Sequence, residues 1–226
     1  MSCPDYSLYL ILDPELVGGR LLMEVAEEAI AGGVTAVQLR DKRGSARQFL
    51  ELARRLKELT SRFHLPLIVN DRLDIALAAR AEGIHLGQED LPAAEARAIA
   101  GSGMILGVSV SCPEEAREAE RSGASYVGLG SIFPTASKTD AGRPLGTDAI
   151  AAVCRAVQIP VVAIGGIGVE NVAEVIARGA AGVAVISAIL QAADPRRAAQ
   201  ELRRSIEASR AQRGMQQGDN PQVRRS

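Results

Sequence analysis

Three polar side chains alternate along the stretch AVQLRDK, where Gln38, Arg40 and Lys42 are spaced two residues apart. In a β-strand this spacing sends all three to one face and the apolar residues between them to the other face. If that face points into the protein, unpaired cations there cost on the order of several kcal/mol. An anionic ligand would offset this cost, and the alternative is an internal ion pair with Asp41 or a neighbouring carboxylate.

Two carboxylates follow the next two apolar runs. PLIVN leads into Asn70 and Asp71, and GIHLG is followed shortly by Asp90. Carboxylates beside an arginine and lysines are typical of a site where Mg²⁺ bridges phosphate oxygens, since this ion favours one or two carboxylates plus phosphate and water. The alternative for each aspartate is a helix N-cap, Asp71 for residues 72–80 and Asp90 for the segment from Pro92.

A long connection follows the sixth apolar run. The stretch GSIFPTASKTDAGRPLG carries Lys138 and candidate pivots at Gly142 and Gly146. Because strand-to-helix loops commonly have about 2–6 residues, this length predicts a closing lid, with an ordinary surface loop as the alternative. Ser109, at the end of the fifth run, is a candidate hydrogen-bonding group for a ligand or a simple turn residue.

The last two apolar runs end in glycines and a serine. Backbone N–H groups and a helix start are available at Gly165, Gly166, Ile186 and Ser187. This combination is the usual phosphate site of (β/α)₈ barrels. The alternative is that the glycines serve only for close packing. The chain thus presents a metal-assisted anion site around the two aspartates and Lys138, and a second, metal-free site for a single phosphate. A reaction that joins a diphosphorylated and a monophosphorylated substrate would use both.

The elements that must position these residues alternate along the chain. Short apolar runs predict strands at 8–12, 35–40, 66–70, 83–87, 104–110, 125–130, 160–166 and 182–187. Amphipathic stretches between them predict helices, among them 21–31, 46–62, 113–121 and 169–177. Eight such units with mostly continuous apolar strands indicate a parallel sheet covered by helices.

Their number and length predict an α/β protein with a (β/α)₈ TIM barrel, in a single domain at residues 1–211. A doubly wound open sheet is the alternative, but residues 13–20 lack the glycine fingerprint expected after its first strand. Residues 212–226 are polar and rich in Gly and Gln, which predicts a disordered tail. In the barrel, Gln38 and Arg40 point inward toward the mouth, with Lys42 on the following loop.

The composition of the chain argues against some classes of binding partner. The 226 residues are 47% hydrophobic and 23% charged with a formal net charge of −1, and there is no Trp. Near-neutral charge and few aromatic residues argue against nucleic acid as the main partner. No run approaches the roughly 20 apolar residues of a membrane span. Three scattered cysteines and the lack of a signal peptide favour the cytoplasm, and a homo-oligomer stays open.

The blocks YLILD, AVQLRDK, LIVNDRLDIA, GIHLGQEDL, YVGLGSIFPTASKTDA and PVVAIGGI resemble the thiamine-phosphate synthase family, in order and across residues 7–190. The resemblance implies a transferase of thiamine biosynthesis. Its substrates are small molecules: 4-amino-2-methyl-5-(diphosphooxymethyl)pyrimidine and 4-methyl-5-(2-phosphooxyethyl)thiazole or its 2-carboxy form. The products are thiamine phosphate and diphosphate, with one Mg²⁺ per subunit.

The resemblance also implies a role for individual residues. The metal ligands would be Asp71 and Asp90, and Arg40, Lys42 and Lys138 would be catalytic. The pyrimidine diphosphate would contact a set made of Gln38, Arg40, Lys42, Asn70, Ser109 and Lys138. The thiazole phosphate would contact a second set made of Thr135, Ser137, Gly166, Ile186 and Ser187.

Other functions are weaker fits. A thiazole tautomerase would not need the diphosphate and metal groups, and a non-catalytic phosphate sensor would not need both aspartates with Lys138. A sugar-phosphate epimerase would need a paired acid and base across the mouth, and we find no convincing pair. His85 leans inward, either as a hydrogen-bonded core residue or in contact with the pyrimidine.

Overall fold

The computed structural model describes residues 4–135, 137 and 143–218. Eight parallel strands close into a barrel in which each strand pairs with the next and the first pairs with the last. They are β1 Leu8–Leu12, β2 Ala36–Leu39, β3 Leu67–Asn70, β4 Gly83–Leu86, β5 Ile105–Val110, β6 Tyr126–Leu129, β7 Val161–Ile164 and β8 Gly182–Val185. The predicted TIM barrel is confirmed.

Helices follow the strands and cover the outside of the barrel. They are α1 Leu22–Ala31, α2 Ala46–Arg62, α3 Leu73–Ala79, α4 Ala93–Ala100, α5 Pro113–Arg121, α6 Asp148–Ala156, α7 Val172–Ala177, α8 Ser187–Leu190 and α9 Pro195–Gly218. A short 3₁₀ turn, Pro14–Leu16, follows β1. Among the described residues, none of the helices combines the length and apolar composition that crossing a bilayer needs.

Local sequence explains why these helices form where they do. Ser45 begins α2 with a capping box, because its hydroxyl accepts from the Gln48 N–H while the Gln48 side chain accepts from the Ser45 N–H. The helix then buries Phe49, Ala53 and Leu56 at helical spacing. Its bounds coincide with the predicted ones.

The C-terminal helix extends further than the sequence indicated. Helix α9 runs through residue 211 to Gly218, whereas we predicted a disordered tail from residue 212. The helix buries Ala199, Leu202 and Ile206, so packing against the barrel supports its first turns. The domain boundary at residue 211 stays a prediction, and residues 219–226 lie outside the described residues.

Inside the barrel, the alternation of side chains decides what the mouth can contain. Gln38 faces inward, whereas its neighbours Val37 and Leu39 are fully buried apolar residues on the opposite face of β2. Gly107 and Gly128 lie beside the inward-facing His85, which a Cβ at either position would contact. A side chain at Gly107 would overlap Tyr126 and His85, so the missing Cβ makes room for the contact between these two rings.

Candidate active site

A cavity of about 440 Å³ opens at the carboxyl ends of the strands. This is the end where TIM barrels hold their active sites. Most of the residues selected from the sequence line it: Arg40, Lys42, Asn70, Asp71, Asp90, Ser109, Thr135, Ser137, Gly166, Ile186 and Ser187. Lys138 and Gly142 lie outside the described residues, so the lid and the role of Lys138 stay predictions.

Arg40 is held in this cavity by a carboxylate that the sequence analysis did not single out. Its Nη1 donates to Asp13 Oδ2 at 2.5 Å, and the Asp13 side chain is only 2% exposed. Asp13 follows β1, the strand paired with β2. The neighbouring-carboxylate alternative is therefore present, but with Asp13; Asp41 instead accepts from the Gly44 N–H of its own loop.

Asp71 lies at the end of β3 in an unusual backbone conformation. Its φ is 62°, in the left-handed region, which few residues other than Gly adopt but which Asp tolerates. Its N–H donates to the His85 carbonyl on β4 at 2.8 Å, and its Oδ2 lies 2.5 Å from Lys42 Nζ. Strained backbone of this kind clusters at functional sites.

The surroundings of the Asp71 carboxylate favour a nearby positive charge. Burial raises the pKa of the Asp71 carboxyl; Lys42 opposes this rise, and the nearby carboxylate of Asp90 adds to it. Burial and the neighbouring carboxylate both disfavour the ionised form of Asp71, so a cation bound beside it would stabilise that form. The helix-cap alternative is wrong for Asp71, because α3 has no side-chain cap.

Asp90 is likewise not a helix cap. Its Oδ2 accepts from the Gly87 N–H at 2.7 Å, and α4 begins after Pro92 without a side-chain cap. This bond closes the turn that follows β4 and leaves Asp90 on the wall of the cavity. Among the described residues, no group of three or more His, Cys, Asp and Glu side chains could hold a metal.

Gln38 lies deeper than its predicted partners. Its side chain is buried at 2% exposure, and its Nε2 donates to Tyr9 Oη at 2.8 Å. It borders a small cavity under the mouth together with His85 and Ser109, rather than the main one. The inward direction is as predicted, but the position puts Gln38 in the floor, below the main cavity. Its substrate contact stays a prediction.

His85 and Ser109 connect the floor to the mouth. His85 Nε2 lies 2.9 Å from Ser109 Oγ, and its Nδ1 lies 2.8 Å from Tyr126 Oη. His85 is thus a hydrogen-bonded core residue, one of the two alternatives, and it is 8% exposed. Ser109 lines both cavities. A ligand that reaches the floor would meet Ser109 first.

The opposite side of the cavity is formed by the loops after β6, β7 and β8. Ser137 Oγ lies 3.2 Å from Ser187 Oγ, which joins the first and last of these loops. Gly166 has a φ of 63°, and a Cβ there would overlap the carbonyl of Pro134. Glycine is therefore required for the close approach of the second loop. This half is rich in hydroxyl and backbone groups, as the sequence predicted for the single phosphate.

Sequence reasoning missed three participants: Asp13, Tyr9 and Tyr126. The first could have been found, because Asp13 directly follows the first predicted strand, just as Arg40 ends the second. The two tyrosines alternate inward like Gln38, yet a buried tyrosine is commonly a packing residue, and nothing local distinguishes these. Burial raises the pKa of Tyr126 well above its ordinary value, and Tyr9 adds to the rise. Burial likewise raises the pKa of Tyr9, so both phenols keep their protons at neutral pH.

The comparison with protein families agrees with this geometry. The sequence model of the family described as "Thiamine monophosphate synthase" matches residues 8–189. The chain belongs to this family. That confirms the family predicted from the sequence, together with the transferase class that its name denotes.

Relatives within the thiamine monophosphate synthase family are similar over nearly their whole length. Thiamine-phosphate synthase of Moorella thermoacetica is 52% identical over 207 residues, covering 92% of this chain and 99% of the relative. The protein of the same name from Ruminiclostridium cellulolyticum is 47% identical, over 88% of this chain and 94% of its own. Among solved structures, thiamine phosphate pyrophosphorylase from Pyrococcus furiosus superposes with a TM-score of 0.84 at 42% identity, covering 91% and 98% of the two chains.

Proposed function

We propose that the chain joins 4-amino-2-methyl-5-(diphosphooxymethyl)pyrimidine to 4-methyl-5-(2-phosphooxyethyl)thiazole, or to its 2-carboxy form, and releases diphosphate. The observation that carries this proposal is the divided cavity. One wall carries Arg40, Lys42, Asp71 and Asp90, and the opposite wall carries hydroxyls and glycines. A diphosphate and a monophosphate placed against these walls would bring their rings together between them.

The charged wall would hold the diphosphate. Arg40 keeps one side of its guanidinium on Asp13, which orients the group and leaves its other N–H donors for an anion. Lys42 is half exposed and its stem is flexible, so its ammonium can leave Asp71 for a phosphate oxygen. Lys138 is proposed to add a third cation from the connection after β6.

The acidic pair fits Mg²⁺ in its donor chemistry. Asp71 and Asp90 supply the one or two carboxylates that this ion commonly takes from protein when phosphate and water complete its shell. When bound, Mg²⁺ neutralises charge on the diphosphate leaving group. We propose one such ion per subunit, held by these two residues.

The chain's own residues need only stabilise and align. The bond between the pyrimidine methylene and the diphosphate oxygen breaks, and its electron pair leaves with the diphosphate. The thiazole nitrogen then gives its lone pair to the methylene carbon. With the thiazole that lacks the carboxyl group no proton moves; with the 2-carboxy form, CO₂ leaves C2 and a proton from water takes its place. Arg40 and Lys42 stabilise the departing charge, and the two walls align the rings. This chemistry requires no protein nucleophile.

The opposite wall would hold the thiazole phosphate. Hydroxyls of Thr135, Ser137 and Ser187 and the N–H groups of Gly166 and Ile186 are suitable donors to a phosphate. A neutral set of donors suits a phosphate that stays attached throughout the reaction, since it develops no new charge. Ser109 and Gln38 in the floor, with Asn70 in the main cavity, would receive the aminopyrimidine.

The decisive experiment supplies both substrates and Mg²⁺ to the purified protein and follows diphosphate release and thiamine phosphate formation. We expect both products in equal amounts. A thiazole tautomerase or a phosphate sensor would release no diphosphate, and that result would overturn the proposal. Omitting Mg²⁺ with a chelator should abolish the reaction, and its addition should restore it.

We also propose a cytoplasmic location. Cys112 and Cys154 are free thiols in the structure, as expected in a reducing compartment. The residues that line the cavity all belong to one chain. The proposed reaction therefore needs no second subunit, and a homo-oligomer would leave the cavity as it is.

A further inference from the structure

A continuous line of hydrogen bonds crosses the barrel interior from β2 to the mouth. Gln38 Nε2 lies 2.8 Å from Tyr9 Oη, which lies 2.9 Å from Tyr126 Oη. Tyr126 Oη lies 2.8 Å from His85 Nδ1, and His85 Nε2 lies 2.9 Å from Ser109 Oγ. Neither tyrosine is more than 1% exposed. At its other end the line reaches Ser109, which lines the main cavity at the mouth.

The chemistry of the groups sets the direction of donation. The Gln38 amide nitrogen can only donate, so Tyr9 Oη accepts there and needs an acceptor for its own proton. Tyr126 Oη is the acceptor within reach. If Tyr126 donated to Tyr9 instead, the buried proton of Tyr9 would lose this acceptor, which is unfavourable.

The same reasoning extends to the imidazole. Tyr126 accepts from Tyr9, so its own proton goes to His85 Nδ1. A neutral imidazole has one acceptor and one donor nitrogen, which leaves Nε2 as the donor to Ser109 Oγ. The Ser109 hydroxyl proton is then directed away from His85. Every bond in the line thus donates toward the mouth.

We propose that Tyr9 and Tyr126 are positioning residues that hold His85 in the Nε2–H tautomer, so that Ser109 presents a hydroxyl donor to an acceptor atom of the pyrimidine. The inference rests on the proposed function for the identity of that ring. It assigns a role to two residues that do not line the main cavity. Gly107 is part of the device, because a side chain there would separate Tyr126 from His85.

Nitrogen NMR of the ligand-free protein labelled with ¹⁵N-histidine tests the tautomer directly. We expect His85 to show a protonated Nε2 and a hydrogen-bonded, unprotonated Nδ1 at neutral pH. In Tyr126→Phe the Nδ1 signal should move to the position of a nitrogen without a donor. His64 is exposed and provides a reference signal in the same spectrum. A wild-type Nδ1–H tautomer, or an unchanged Nδ1 signal in the variant, would overturn the proposal.

Kinetics distinguish positioning from a general packing role. Tyr126→Phe and Ser109→Ala should each raise the KM for the pyrimidine substrate roughly 3- to 10-fold, the value of one hydrogen bond, while the KM for the thiazole phosphate stays within about twofold. Ser109→Ala should leave the His85 Nδ1 signal as in wild type. Equal changes in both KM values would show a packing effect and contradict the proposal.

Tyr9→Phe provides a second variant if Tyr126→Phe does not fold. It removes the donor to Tyr126 while keeping the ring, so the His85 Nδ1 signal should move in the same direction but less far. An unchanged signal would contradict the line of donation. Because the spectra need no substrate, an inactive wild-type protein would overturn the proposed reaction and leave the tautomer result standing.

Discussion

Lys42 Nζ lies 2.5 Å from Asp71 Oδ2, so the lysine pairs with a carboxylate that we assign to Mg²⁺. The same ammonium is proposed to bind the diphosphate. Because Lys42 is 49% exposed and Asp71 only 18%, the lysine is the partner that can move. Under the proposed assignments, binding of the metal at Asp71 would release the Lys42 ammonium toward the substrate.

Removing the lysine should change metal affinity in opposite directions with and without an anion. In Lys42→Met, Mg²⁺ alone meets Asp71 without a competing cation, so its Kd should fall several-fold. With diphosphate present, a favourable contact to the anion is lost and Mg²⁺ should bind more weakly than in wild type. Titration calorimetry in the two conditions measures both values. A fall in affinity in both would contradict competition between Lys42 and the metal.

Each carboxylate should be required for the coupling reaction but not for thiazole phosphate binding. We expect Asp71→Ala and Asp90→Ala to lower the coupling rate by on the order of 10²–10³ or more, judging from the loss of single charge-stabilising groups in other enzymes. The affinity for the thiazole phosphate should stay near normal. Diphosphate release and a binding titration measure the two effects.

The matched control is Asp74→Ala. Asp74 lies close by in α3, is 64% exposed and pairs with Arg72, so its removal should leave the rate within about twofold of wild type. If either Asp71→Ala or Asp90→Ala couples at the wild-type rate, the metal assignment is wrong.

Asp13 should be a stability residue as well as a support for Arg40. Removing one member of a buried ion pair leaves the other uncompensated, which typically costs about 3–5 kcal/mol. Asp13→Asn should therefore lower the free energy of unfolding clearly. The double variant Asp13→Asn with Arg40→Met should recover part of that loss because no charge is left unpaired, yet it should stay inactive. Denaturant unfolding and the coupling assay separate the two roles, and a double variant that is less stable than the sum of both single changes would contradict the pairing.

Asp5 should make stability depend on acid. Burial by itself would raise the pKa of the Asp5 carboxyl, but hydrogen bonds from Ser7 and Arg203 outweigh it, so the net pKa is lowered from 3.8. A lowered pKa contributes stability above the unfolded value, and this contribution is lost as the pH falls through the folded value. Asp5→Asn should therefore lower Tm at pH 7, and the difference from wild type should shrink on acidification toward and below pH 3.8. A constant difference across this range would rule out the linkage.

Local sequence determined most of the fold. Strand and helix periodicity predicted the eight units, and the observed α2 and α5 have the predicted bounds. These features depend on neighbours within a few residues, such as the capping box at Ser45. Helix α9 was harder to predict, because its first turns are stabilised by apolar contacts of Ala199, Leu202 and Ile206 that only the folded barrel supplies.

For the candidate site as well, some features followed from the sequence and others only from the tertiary structure. Position at the end of a strand was sufficient to place Arg40, Asp71, Asp90 and Ser187 around one mouth, because all parallel strands of a barrel end on the same side. Only the tertiary structure decided that Arg40 pairs with Asp13, that Gln38 lies in the floor, and that two tyrosines connect it to His85. Those contacts depend on the register between strands and on how far each inward side chain reaches across the closed barrel, and neither quantity is contained in the spacing of residues along the chain.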